Sequence, residues 1–204
     1  MAFSLAFILF ALSMCFTPGP NNVMLMSSGL NFGISKSLPH LFGVLFGFPS
    51  MVVMVGLGLG VMFELYPFIH DVIKVLGIIY LLYFAWRVAN AKSKSLNCKA
   101  PQPFTFLQAA LFQWVNPKAW VMASTSVAVY TSIDASMFYQ VFVLAVVFVF
   151  IGFLSGSTWL FLGHGLKRVL TSDIHQILFN RAMASLLVMS VLPAVYGLVV
   201  KISA

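Results

Sequence analysis

The first thirty-five residues contain no Asp, Glu, Lys or Arg. Residues 37–63, 135–166 and 182–200 are equally uncharged, and residues 100–133 hold one charge, Lys118. Residues 68–89 are apolar, with charges only near their ends. A soluble domain has about 25% charged residues, whereas this chain has 7%, beside 61% hydrophobic ones. Runs of this kind cannot make a water-facing surface, but about 18 or more apolar residues suffice to cross a bilayer. The runs predict six spanning helices, at about 3–28, 38–63, 68–89, 104–131, 138–163 and 180–201. They are continuously apolar rather than alternating, which argues against a β-barrel. The first run lacks the basic start and small-x-small site of a secretory signal, so it is expected to stay as the first span.

Lys and Arg then set an orientation. Lys36 lies between spans one and two. Arg87, Lys92, Lys94 and Lys99 flank the connection from three to four, and Lys167, Arg168 and Arg181 flank that from five to six. The opposite side has Glu64, Asp71 and Asp134, with only Lys74 and Lys201 as bases. The positive-inside rule puts the eight bases in the cytoplasm and both termini in the periplasm. The net charge of +7 is thus mainly a topology signal. Bases in short connections do not form a nucleic-acid surface, so no nucleic-acid partner is expected.

Inside the first span stands TPGPNN, Thr17 to Asn22. Proline removes a backbone donor and clashes with the preceding turn, so Pro18-Gly19-Pro20 is expected to break the helix for at least a turn. Freed backbone groups are tolerated at membrane depth only where protein buries them or a polar cavity receives them. The fourth span holds a second such stretch, QWVNPKAW, Gln113 to Trp120. Each opens a set of three spans, and three is odd, so the second set is inverted relative to the first. Interrupted helices at matching places in two halves point to a transporter binding site. The reading is one transmembrane domain over 1–204: a first repeat at 1–90, a basic cytoplasmic linker at 91–103 and a second repeat at 104–204.

PGPNN followed by SSGLNFG, a Gly-rich second span, and NPKAW opening the second half resemble the LysE/RhtB family of bacterial amino-acid exporters. The resemblance runs over essentially the whole chain. It implies an inner-membrane exporter of amino acids or close derivatives, six helices in two inverted halves, and proton coupling. Members carry Asn or Asp after PGP; here the residue is Asn21.

The residues point to substrate chemistry on their own. The candidate binding set is Pro18, Gly19, Pro20, Asn21, Asn22, Gln113, Asn116, Pro117 and Lys118. A half-helix N-terminus presents free N–H groups and partial positive charge, which suits a carboxylate. Lys118 adds a full charge, while amide oxygens and released carbonyls can accept from an ammonium. With no intramembrane Asp or Glu to meet a cationic side chain, the reading favours neutral amino acids. The bland alternatives are a packing kink for the prolines and snorkelling for Lys118. Recurrence of the motif and the mid-span place of Lys118 favour a binding role.

Other features read as structural. Gly29-x₃-Gly33, Gly43-x₃-Gly47 and Gly152-x₃-Gly156 allow close helix approach, within the chain or in a homodimer. His40 and His164 are expected to pack near the cytoplasmic interface. Trp86, Tyr66, Tyr130 and Tyr139 read as belt aromatics, and Trp114, Trp120 and Trp159 as core. Cys15 reads as a small buried residue, and Cys98, in the basic connection, is not expected to reach it. No HExxH, GxSxG, CxxC or P-loop occurs, so neither catalytic residues, metal nor cofactor is expected, and lipid and a small molecule are the expected partners. The rival readings are a transmembrane thiol-relay oxidoreductase, which would want a second Cys near Asn116, and an ion or metal permease, which would want a carboxylate, His or thiolate cluster.

Overall fold

The structure is a computed structural model that describes residues 5–59, 65–90, 102–132, 135–170 and 172–203. Glu64, Lys92, Lys94, Cys98, Lys99, Asp134 and residues 91–101 of the expected linker lie outside the described residues, as does the side chain of Lys201. Among the described residues all regular structure is helical: α1 (Leu5–Phe16), α2 (Pro20–Phe32), α3 (Ile34–Met54), α4 (Pro67–Ala89), α5 (Phe106–Val115), α6 (Pro117–Tyr130), α7 (Met137–Val169) and α8 (Asp173–Ser203). A π-helical turn at Val55–Leu59 continues α3.

Four of these helices, counting α3 with its π turn, are long and apolar enough to cross a membrane, and the α1–α2 pair, bent by 51°, makes a fifth candidate. The α5–α6 pair is broken into 10 and 14 residues, each too short alone. The interruptions therefore fall in the two stretches where the prolines predict them.

Several helices overrun their expected ends. α3 starts at Ile34 because Gly33, at φ 78°, turns the chain in one residue. α8 starts at Asp173, where Ser172 Oγ accepts from Ile174 N at 3.3 Å and Gln176 Nε2 donates to Leu170 O at 2.6 Å. Arg181 is consequently two turns inside α8, not at its start. Hydropathy marks where the hydrocarbon ends, while capping marks where the helix ends, and the two need not coincide. α5 begins with a capping box between Thr105 and Gln108.

The helices share two ends. One end carries the Gly33 turn, Asn90, residues 102–105 and the α7–α8 connection; call it the basic end, after Lys36, Arg87, Lys167 and Arg168. There the helices meet backbone to backbone. A Cβ on Gly29 would strike Leu160 O of α7, one on Gly163 the backbone of Met26, and one on Gly43 Phe106 O of α5. The small-residue pairs are thus used within the chain, although Gly33 serves as a turn and not as a contact. Polar pairs add to this end: Asn31 and Asn180 exchange two bonds of 3.1 Å, and Arg87 Nη2 donates to Gln102 O at 3.1 Å.

At the opposite end the core is aromatic. Phe7 of α1, Phe48 of α3 and Phe148 of α7 meet edge to face at 4.9–5.4 Å, and Tyr130 packs inward on Phe7 and Phe10 instead of joining an interfacial belt. Trp86, Tyr66 and Tyr139 are exposed at helix ends, as a belt requires. Among the described residues none of α4 or α8 belongs to this aromatic core. Those two helices pack on each other, and join the rest through α2 and α5.

Gly163→Val puts a branched side chain on the Met26 backbone, an overpacking worth about 1–3 kcal/mol or more. Thermal unfolding in detergent should show a clear loss of Tm, while Gly165→Ala, which meets open space, should leave Tm unchanged or slightly raised. Equal Tm values in the two variants would refute the close α2–α7 approach.

Candidate functional site

Pro18 and Pro20 cannot donate to Met14 O and Phe16 O, so α1 stops at Phe16. Gly19 is extended at φ −166° and ψ 177°. The break lasts three residues, Thr17 to Gly19, shorter than the full turn expected from the sequence. Pro20 restarts the helix at once because the first helical position needs no N–H.

The break also leaves two carbonyls that an intact helix would have used, and side chains from three elements fill them. Cys15 O accepts from Asn22 Nδ2 and from Ser155 Oγ of α7, both at 2.7 Å. Thr17 O accepts from Asn22 Nδ2 at 3.0 Å and from the Lys118 ammonium at 2.6 Å. Lys118 therefore crosses from α6 to the end of α1, and its stem lies over Gly19: a Cβ there would sit 2.9 Å from its Cδ and 3.2 Å from its Nζ.

The second break is one residue long. Asn116 ends α5 and caps α6, with Oδ1 accepting from Lys118 N at 3.1 Å. Its backbone O accepts from Ala119 N and Trp120 N. Trp114 O, which Lys118 N would have used, instead receives the Trp120 indole at 2.7 Å. A single proline with a capping amide closes the gap that two prolines hold open in α1–α2.

The two half-helix N-termini thus differ. That of α6 is occupied by its own Asn116, whereas that of α2 has no side-chain cap. The uncapped one, with its partial positive charge, lies next to the Lys118 ammonium. Two like charges converge there, and an anion is the species that relieves them.

A cavity of about 60 Å³ opens where the breaks cross. Of the nine residues expected from the sequence, Gly19, Asn21, Asn22, Asn116 and Lys118 line it, together with Cys15 and Ser155. Gln113 is fully buried off the wall, exchanging bonds of 2.8 and 3.2 Å with Asn21 and donating to Ala109 O. Pro20 is buried, Pro18 is exposed, and Pro117 lines a different cavity, between α4, α6 and α8. The rest of the wall is apolar, with Met14, Phe48, Met122, Phe148, Gly152 and Gly156 and, among the described residues, neither Asp nor Glu. Among the described residues no group of three or more His, Cys, Asp or Glu forms.

Sequence reasoning passed over Ser155. Its signal was position: it sits between Gly152 and Gly156 on an apolar helix, where a hydroxyl needs an acceptor from elsewhere. His40 also differs from expectation. It is wholly buried, not interfacial, with Nδ1 at 2.9 Å from Ser28 Oγ and its ring 5.0 Å from that of Phe104. Segment 102–105 covers it, and no local pattern announces that cover.

Asn22→Ala removes one of the two donors of each of two carbonyls, Cys15 O and Thr17 O, a loss of two hydrogen bonds of about 0.5–1.5 kcal/mol each. Asn21→Ala breaks an amide pair of a kind that averages about 0.6 kcal/mol in membranes. Thermal unfolding should therefore rank Asn22→Ala below Asn21→Ala; the reverse order would remove Asn22 from its capping role.

The model of the family described as "LysE type translocator" matches residues 12–196. Proteins named "Cysteine/O-acetylserine efflux protein" from Salmonella typhimurium (strain LT2) and Escherichia coli (strain K12) are each 28% identical over 186 residues, which cover 90% of this chain and 92% of theirs. The protein of the same name from Shigella flexneri matches equally. No solved structure matches the chain.

Proposed function

The chain belongs to the family of LysE type translocators, and from that membership we propose that it exports small, neutral amino acids or close derivatives across the bacterial inner membrane, coupled to protons. It is an efflux transporter of the membrane, not an enzyme. The reading of the substrate is carried by one observation: the Lys118 ammonium rests on Thr17 O beside the uncapped N-terminus of α2, on the wall of a cavity that bears no carboxylate.

A zwitterion fits this arrangement by exchange. Its carboxylate draws Lys118 off Thr17 O and lies between the ammonium and the N-terminus of α2. Its own ammonium takes the vacated Thr17 carbonyl. Each charge of the substrate replaces a contact already present, so little desolvation goes uncompensated. A side chain bearing a positive charge finds no acid on the wall. Gly152 and Gly156 leave room for a small group, and the substrates in the names of the relatives, cysteine and O-acetylserine, are small and carry uncharged side chains.

The wider reading is six spans in two inverted halves, α1 to α4 and α5 to α8, each opened by a broken helix. The basic end faces the cytoplasm and both termini face the periplasm. The charge map and the paired breaks support it. A C-terminal alkaline phosphatase fusion should be active and a cytoplasmic fluorescent reporter dark. Proton coupling rests on the family resemblance.

The test is efflux and substrate affinity in purified, reconstituted protein, screened over radiolabelled neutral and cationic amino acids with an uncoupler arm. Lys118→Met should insert as well as wild type, since Lys at mid-membrane costs about 2.5–3.5 kcal/mol, yet lose affinity for the exported amino acid. Lys118→Arg should be partly defective, because a planar guanidinium is larger and directs its donors differently. Wild-type affinity in Lys118→Met would sink the carboxylate role. An uncoupler without effect would sink proton coupling alone. Cys15→Ser should continue to export, since no step here uses its sulfur.

A further inference from the structure

A second cavity is larger than the central one. It holds about 170 Å³ and lies on the far side of α6, toward α4 and α8. It exists because α4 and α8 join the bundle at the basic end and are absent from the aromatic core at the other. At that second end the α4–α8 pair stands away from α6, and the cleft between them is walled by Ile78, Pro117, Trp120, Val121, Val191 and the stem of Lys74.

Lys74 decides the occupant. It is about 10 Å along α4 from Pro67, at 1.5 Å per residue, so it lies near the boundary of the hydrocarbon at that end. Its ammonium reaches across to α8, where a Cβ on Gly197 would sit 3.1 Å from Nζ. Among the described residues no carboxylate lines the cleft. Asp71, one turn earlier on the same helix, is not on its wall. Below the ammonium the walls are apolar down to Leu81 and Val191, deeper in the same helices. One cation at the lip and an apolar slot beneath describe the negative of an amphiphile with an anionic head. A second copy of the chain fits poorly, since a two-fold contact would bring Lys74 toward its own image in a protein of net charge +7.

The geometry points to a binding site for an anionic phospholipid, with its phosphate on Lys74 and one acyl chain between α4, α6 and α8. The lipid would brace the half-helix that carries Lys118 from behind, since Pro117 and Trp120 wall this cleft while Lys118 and Ala119 wall the central one. This site does not depend on which molecule is exported.

Native mass spectrometry of the purified full chain, titrated with phosphatidylglycerol, phosphatidylcholine or oleate, tests it, with thermal unfolding read in parallel. Wild type should retain phosphatidylglycerol in preference to the other two and gain Tm from it. Lys74→Gln should weaken that binding about fivefold, the effect of about 1 kcal/mol for one Lys at a lipid surface. Lys74→Arg should keep it. Val121→Phe, which leaves Lys74 in place and fills the slot, should weaken it as well, so a folding failure of Lys74→Gln would not remove the test. Equal binding of phosphatidylcholine, or an unchanged affinity in both Lys74→Gln and Val121→Phe, would overturn the site. Equal or tighter binding of oleate would overturn the phospholipid in favour of a fatty acid. A lipid-independent dimer that Val121→Phe dissolves would overturn it in favour of a second copy.

Discussion

Everything at the centre of this protein depends on the carbonyls of Cys15 and Thr17, left without helical donors where Pro18-Gly19-Pro20 breaks the chain between α1 and α2. In hydrocarbon an unpaired backbone carbonyl costs several kcal/mol. Cys15 O and Thr17 O are met by Asn22 from the next helix, Ser155 from α7 and Lys118 from α6. Those contacts fix where α2, α6 and α7 sit around the end of α1. They also hold a charged side chain half-buried beside the end of α1. The ammonium is placed because the carbonyl is free, and the carbonyl is free because the chain is extended at Gly19 between the two prolines, which takes Asn21 N out of helical register with Thr17 O.

This chain of causes was partly legible in the sequence. Proline chemistry is local, so the interruptions at Thr17–Gly19 and Asn116 follow from the residues alone. What the sequence could not supply was the order of donors. Asn21 and Asn22 are adjacent and chemically identical, yet Asn22 turns back to the α1 carbonyls while Asn21 pairs with Gln113. Successive residues on a helix are about 100° apart, and only the placement of α5 decides which face meets which partner. Ser155 was illegible for the same reason: its acceptor lies 140 positions away.

Helix ends were the weaker part of the reading. The boundary of an apolar run is a statement about solvent, while a cap is a statement about hydrogen bonds, and α7 and α8 extend past the hydrophobic limit at the basic end. The same distinction explains His40. A histidine near the end of an apolar run reads as interfacial, but the segment bearing Phe104 folds back across it, and that fold-back is a tertiary event.

The two ends of the bundle close over the cavity by unlike means. At the basic end Gly29, Gly43 and Gly163 let backbones touch, and the Asn31–Asn180 pair locks α2 to α8. At the other end Phe7, Phe48, Phe148 and Tyr130 meet through side chains. Parting the first requires whole helices to separate, since a backbone contact has no rotamer to yield. Parting the second needs ring rotations and a swing of α1, which the three-residue break at Thr17–Gly19 already hinges at 51°. α1 is 12 residues long and is tied at its inner end by the bonds to Cys15 O and Thr17 O. A group that withdraws Lys118 from Thr17 O therefore loosens one of the ties of the helix that closes the aromatic end. The Lys118–Thr17 O bond of 2.6 Å is thus one of the contacts, with those of Asn22 and Ser155, by which three side chains tie the end of α1 to the cavity wall.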